Sequence, residues 1–183
     1  MMKKKVVIVG AGAGGLAATK ALAGTDAEIT LIDKTNHHLF QPLLFQVAVA
    51  VLSPGDIAAP IRSIVGKLPN VRVILGEVTR FDVNNGHVTL ADGTSYDYDY
   101  LVVATGIKTC YYGNDHWEKH APGLKTIADA LQAREKILLA FEKAEIAESQ
   151  QEIQRLIQGD IKSTTLAGEV LDEVVTAILN GKD

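Results

Sequence analysis

One short segment, Gly10-Ala11-Gly12-Ala13-Gly14-Gly15, constrains the fold of this chain more than any other. It follows a continuous apolar run, Val6 to Val9, of the kind a parallel strand buried on both faces requires. After it, Gly14 to Ala23 is rich in alanine and reads as a helix that closes near Gly24. A second short strand, Glu28 to Ile32, ends at Asp33. Strand, glycine turn, helix and strand in that order begin a doubly wound α/β fold.

The spacing fits G-x-G-x-x-G through Gly10, Gly12 and Gly15. Gly10 permits the tight turn, Gly12 leaves a path for a pyrophosphate to approach the backbone, and Gly15 lets helix and strand pack closely. The amino terminus of the helix then faces the anion. Asp33 closes the second strand 18 residues beyond Gly15, where a carboxylate accepts hydrogen bonds from an adenosine ribose. With strand, helix and acid in register, the pattern predicts dinucleotide binding rather than a merely structural glycine turn.

Further along, Asp56 to Val65 predicts a short helix with Pro60 in its first turn. Val71 to Leu75 reads as another strand. From Val78 to Tyr98, short alternating segments separated by Asn84-Asn85-Gly86 and Asp92-Gly93 predict an antiparallel meander, because these residues tolerate positive φ. Tyr100 to Ala104 returns to a buried parallel strand. A loop containing Trp117, Pro122 and Gly123 leads to Thr126, an expected N-cap for a helix from about Ile127 to Ile157 with a break near Ser149. A last amphipathic helix is expected over Thr165 to Asn180, with Leu166, Val170, Leu171, Val174, Ile178 and Leu179 in one stripe.

The formal charge of −4 is unevenly spread: residues 1–145 are neutral overall, and the acidic excess lies in residues 146–183. There is no polybasic patch, so nucleic acid is not an expected partner. Cys110 is the only cysteine, so no internal disulfide can form. The run Val6 to Val9 is too short for a signal peptide, and Leu39 to Leu52, interrupted by Gln41, Pro42 and Gln46, is too short to span a bilayer. His37-His38 and the pair His116 and His120 lack a ligand set around them, so no metal site is expected.

FAD and NAD both present an ADP half, and the glycine loop alone does not separate them. The meander followed by Tyr100-Leu101-Val102-Val103-Ala104-Thr105-Gly106 resembles flavoproteins built from two dinucleotide-binding domains, and that resemblance favours FAD. Disulfide reductases of this fold carry a cysteine pair beside the flavin, which a single cysteine excludes. The segment Asn36-His37-His38-Leu39-Phe40-Gln41-Pro42-Leu43-Leu44-Phe45-Gln46-Val47-Ala48 instead resembles type II NADH:quinone oxidoreductases, with Phe45 in place of the usual tyrosine. Leu52-Ser53-Pro54-Gly55-Asp56-Ile57-Ala58, Pro60-Ile61-Arg62 and Ala121-Pro122-Gly123-Leu124-Lys125-Thr126 fit the same family, as does Phe141-Glu142-Lys143-Ala144-Glu145. The resemblance covers about residues 4–157.

It implies an α/β fold: a Rossmann-like FAD-binding domain with a parallel sheet and an inserted antiparallel β-meander, followed by helices. The expected organisation is a Rossmann unit over residues 1–110 with its meander at about 78–98, a loop and long helix over 111–157, and an acidic amphipathic tail over 158–183. By the resemblance, Gly10, Gly12, Gly14, Gly15, Asp33 and Lys34 hold the ADP half of FAD, and Val78 lies near the adenine through its backbone. Gln41, Pro42 and Gln46 approach the flavin, and Ala104, Thr105 and Gly106 wall its far side. For Gln46 the alternative of a polar residue capping a local turn stays open.

The implied reaction is hydride transfer from NADH to FAD, with electrons passing to quinone. Within these residues no second G-x-G-x-x-G follows, and Gly159-Asp160 imitates the family's later flavin motif in letters only, because a charged helical pattern precedes it. NADH and quinone are therefore expected as partners only if another domain is supplied. The alternative is a truncated or rebuilt FAD-binding module without catalysis of its own. The expected location is cytoplasmic, with peripheral attachment at the cytoplasmic membrane face in full-length members. The tail helix is expected to cover apolar surface in cis, form a homodimer seam or dock a partner chain.

Overall fold

The computed structural model describes residues 3–162. In chain order the first elements are β1 (Lys4–Val9), α1 (Ala13–Leu22), β2 (Ala27–Asp33), β3 (His37–Leu39), a 3₁₀ turn (Gln41–Leu43) and α2 (Leu44–Ala48). Then come α3 (Pro54–Ile57), β4 (Ala58–Pro60), α4 (Ile61–Val65) and β5 (Val71–Leu75). The meander strands are β6 (Val78–Asp82), β7 (His87–Leu90) and β8 (Ser95–Asp97), followed by β9 (Tyr100–Val103), a 3₁₀ turn (Asp115–Trp117), α5 (Ile127–Glu145) and α6 (Gln150–Lys162). These elements fall into two units. The described residues up to Leu39 join Ala58–Ile107 in one, and Phe40–Ile57 joins the described residues from Lys108 onward in the other.

In the first unit, β5, β2, β1 and β9 form a parallel sheet in that order, with β1 paired to β2 from Lys4↔Ala27 to Val9↔Ile32. Successive side chains of a strand face opposite sides, so β1 feeds two cores. Val6 and Ile8 pack with Leu16 of α1, Ile29 and Leu31 of β2, and Ile61 and Val65 of α4. Val7 and Val9 pack with Ile32 and with Val88 and Leu90 of the meander. Burial on both faces is why Val6 to Val9 reads as unbroken apolar sequence; each such side chain contributes roughly 1.5–3 kcal/mol.

The meander is antiparallel, β6 with β7 and β7 with β8, and its turns carry Gly86 and Gly93 at φ of 67° and 86°. Strand β9 is anchored at its start by Asp99, which accepts hydrogen bonds from the Lys5 backbone at 2.7 Å and from Lys4 Nζ at 2.9 Å. These donors hold the Asp99 carboxyl below the usual carboxylate range, the Lys5 N–H first and the Lys4 ammonium next.

Two expectations are corrected: β9 is parallel as expected but not buried, since it lies at the sheet edge with Tyr100 and Val103 exposed, and one expected helix is broken. Asp56 to Val65 is not a single helix: Ala58–Pro60 is extended as β4 and pairs antiparallel with β3, from His37↔Pro60 to Leu39↔Ala58. Pro60 caps the start of α4 with an extended ψ of 127° and does not sit inside a longer helix. The residue before a proline is pushed out of the α region, which interrupts the helix at Ala59.

In the second unit α5 begins at a capping box. Thr126 Oγ1 accepts from the Asp129 N–H at 3.1 Å, and Asp129 accepts from the Thr126 N–H at 2.8 Å. Ile137, Ala140 and Ala144 of α5 pack with Val49, Phe141, Ile153 and Leu156. The expected long helix ends at Glu145 and restarts at Gln150, with Ser149 Oγ accepting from the Glu152 N–H at 3.2 Å. Gly159 and Asp160 lie within α6, not at the end of a strand. The tail helix expected over Thr165 to Asn180 lies outside the described residues. Among the described residues no helix is long and apolar enough to cross a membrane.

Helix α2 ends in a left-handed cap built on an alanine. Ala50 has φ +65°; its N–H donates to Val47 O at 3.1 Å and the Val51 N–H donates to Gln46 O at 2.8 Å. This is the Schellman pattern, in which glycine is the usual residue at the position Ala50 holds. The left-handed region costs an L-residue roughly 1–2 kcal/mol, while glycine adds about 0.4–1 kcal/mol of unfolded-state entropy to lose. Ala50→Gly is therefore expected to stabilise the chain by about 0.5–1 kcal/mol, read as a higher urea midpoint at unchanged slope. An unchanged or lower midpoint contradicts the strain at this cap.

Candidate functional site

The turn between β1 and α1 is held by backbone packed on backbone. Gly10 has φ +102°, and its N–H donates to Ile32 O at 2.8 Å. A Cβ built on Gly10 overlaps the carbonyl of Ala104, and one built on Gly15 overlaps the carbonyl of Gly10. Both glycines are thus explained by the protein's own main chain. The Ala104 N–H donates to Val9 O at 2.8 Å, which ties the end of β9 to the end of β1 beside the turn. Gly106 follows at φ +73°.

Gly12 is different. Its φ of −69° suits any residue, and a Cβ there meets nothing within 4 Å. It occupies the N-cap of α1, where Ser, Thr, Asp or Asn would bond an orphan N–H, yet no side chain caps this helix and its first turn carries no acid. The first turn of a helix has N–H groups without intrahelical partners and a partial positive charge. A bare, uncapped helix terminus with open space over Gly12 suits a ligand that brings negative charge and needs close approach to the main chain. Gly14 is also unforced, since a Cβ there reaches Ala104 Cβ only at 4.0 Å.

Asp33, at the end of β2, reaches back to this turn. One carboxylate oxygen accepts from the Ala11 N–H at 2.6 Å, and the other accepts from the Thr35 N–H and hydroxyl, each at 2.7 Å. His38 lies on the other side of the same residue, its Nδ1 3.0 Å from the Ala11 carbonyl oxygen. Ala11 is buried, so both of its backbone polar groups need partners and both find side chains.

Lys34 is exposed beside Asp33. Val78 is half-buried in β6, its side chain against the core of Val88 and Leu90. In the second unit, Gln41 is exposed, with its amide donating to Lys125 O at 3.3 Å, and Pro42 lies in the first 3₁₀ turn. Gln46 is half-buried in α2, and its carbonyl is the acceptor that closes the Schellman turn. Cys110 is exposed. Among the described residues no three His, Cys, Asp or Glu side chains gather as a metal site would need.

Thr35 and His38 are the site residues that sequence reasoning passes over. A threonine two residues after an aspartate is a signal for a local hydroxyl–carboxylate bond and was legible in principle. His38 was not, because its contact to Ala11 depends on the β3–β4 pairing.

The sequence pattern of the pyridine nucleotide-disulphide oxidoreductase family matches residues 4–157. The chain is 51% identical over 156 residues to the type II NADH:quinone oxidoreductase NdhA of Mycobacterium tuberculosis, covering 84% of this chain and 33% of that protein. It is 49% identical over 147 residues to the type II NADH:quinone oxidoreductase Ndh of the same organism, covering 78% of this chain and 32% of that one. Among solved structures, NDH2 from Plasmodium falciparum in complex with NADH matches with a TM-score of 0.73 at 26% identity, over 84% of this chain and 32% of that one. The chain spans about a third of the length of the curated relatives it matches.

The two kinds of glycine separate in stability. Gly10→Ala forces a left-handed alanine into a carbonyl and is expected to destabilise by about 2–4 kcal/mol or more. Gly12→Ala places its methyl in open space at an N-cap and is expected to cost less than about 1 kcal/mol. Urea unfolding of both variants checks this; equal losses contradict the division between packing glycine and ligand glycine.

Proposed function

Because the chain belongs to the pyridine nucleotide-disulphide oxidoreductase family, we propose that it binds FAD at the β1–α1 turn and forms the flavin-holding part of an NADH:quinone oxidoreductase. The observation that carries this reading is Gly12: no side chain, no conformational need for glycine, and open space over an uncapped helix terminus. When bound, FAD supplies the acceptance of hydride from NADH and the onward delivery of electrons to quinone.

The chain's own residues bind and orient. The N–H groups at the start of α1 take the pyrophosphate, and the absent side chain at Gly12 lets it approach. Asp33 has about four lone-pair positions, of which the Ala11 N–H and the two Thr35 donors occupy three, leaving room for one ribose hydroxyl. Asp33 in this reading both shapes the turn and accepts the ribose. The Ala104–Gly106 segment, close against Gly10, is assigned to the wall of the same cofactor. The roles of Lys34, Val78, Gln41, Pro42 and Gln46 toward FAD rest on the motifs in which they stand.

Holding the cofactor supplies only part of the reaction. Placing nicotinamide against flavin is a proximity effect that can be worth roughly 7–11 kcal/mol, and it needs a second nucleotide site. The glycine pattern for one does not recur in these 183 residues. A second reading, for these 183 residues taken by themselves, is a cofactor-binding module without turnover of its own. Peripheral attachment at a membrane's cytoplasmic face belongs to the proposal for the larger enzyme.

Titrating FAD into the 183-residue chain is expected to give saturable binding that Gly12→Val abolishes. Asp33→Ala is expected to weaken binding by roughly 1.5–3 kcal/mol, the worth of a hydrogen bond to a charged acceptor. Steady NADH oxidation with a quinone acceptor by this chain alone contradicts the module reading. Saturable NADH binding with no FAD binding contradicts both readings.

A further inference from the structure

We propose that His38 is a positioning residue for the dinucleotide turn: its imidazole donates to the Ala11 carbonyl and fixes the direction of the peptide that Ala11 shares with Gly12. This rests on the reading of the turn as a FAD site. The acceptor is a carbonyl oxygen 3.0 Å away, so Nδ1 must carry the ring proton for the bond to exist. In a trans peptide the C=O of Ala11 and the N–H of Gly12 point to opposite sides. Holding the carbonyl toward His38 therefore directs the Gly12 N–H away from it.

The neighbouring peptide is fixed independently, because the Asp33 carboxylate takes the Ala11 N–H at 2.6 Å. Ala11 is thus gripped at both of its backbone polar groups by side chains from β2 and β3. It is only 2% exposed, so removing His38 orphans a buried carbonyl. An orphaned buried acceptor has lost its water as well as its partner, and the turn relaxes until it finds one. His38 is presented by the β3–β4 pairing, where it faces Ala59; a one-residue slip in that register would turn its side chain to the opposite face. The β3–β4 pairing thereby gains a purpose that its three-residue strands do not otherwise suggest.

Three measurements on the 183-residue chain test the tether. In the wild type, histidine ring ¹⁵N NMR is expected to show the neutral His38 ring protonated at Nδ1. His38→Leu is expected to weaken FAD binding about tenfold and to speed amide exchange at Ala11 and Gly12 in the FAD-free chain. His38→Asn, whose amide nitrogen sits near the place of Nδ1, is expected to stay within about threefold of wild type, since it restores the hydrogen bond. A wild-type ring protonated at Nε2 alone overturns the proposal. So does a leucine variant matching wild type in affinity and exchange, or an asparagine variant as impaired as the leucine. Should His38→Leu not fold, the tautomer and the asparagine variant decide. Absent FAD binding in the wild type, with faster Ala11 exchange in His38→Leu, the FAD reading fails and the tether stands.

Discussion

At the β1–α1 turn main chain packs directly on main chain, where Gly10 meets the Ala104 carbonyl and Gly15 meets the Gly10 carbonyl. A side chain at either glycine would force β1, α1 and the end of β9 apart. Their closeness lets the β1–α1 turn, the end of β2 at Asp33 and the Ala104–Gly106 segment converge on the same edge of the sheet, the carboxyl ends of its strands. Open α/β sheets bind ligands at that edge. The two cores fed by alternate residues of β1 supply the apolar burial that offsets the cost of a glycine-rich turn.

Much of this was legible because it depends on local patterns. Val6 to Val9 declared a doubly buried strand, Asn84-Asn85-Gly86 and Asp92-Gly93 declared the turns of the meander, and Thr126 declared the start of α5. Each signal acts over a few residues and needs no knowledge of the rest of the chain. The interruption between Asp56 and Val65 is not legible from Pro60 itself, whose missing N–H is tolerated in a first helical turn. Its effect on Ala59, and the availability of β3 as a partner strand, decided the outcome.

The site was legible to a different depth. The sequence named Gly10, Gly12 and Gly15 alike, whereas the structure divides them: two are demanded by packing, and Gly12 has no demand on it from the described residues. The sequence also assigned Asp33 to a ribose without showing that three of its acceptor positions are already engaged by Ala11 and Thr35. His38 looked like half of an unpromising histidine pair; only the pairing of two very short strands brings it to Ala11. Local chemistry reads out from sequence, and contacts made across strands do not.

In the proposed function, the uncapped terminus of α1 over Gly12 receives the pyrophosphate of a dinucleotide. Amide chemical shifts in a ¹⁵N-labelled chain, followed as FAD is added, test it most directly. The largest changes are expected on Ala11 to Gly15, with Asp33 and Thr35 responding beside them. Saturable FAD binding that leaves the amides of Gly12, Ala13 and Gly14 unmoved would contradict it.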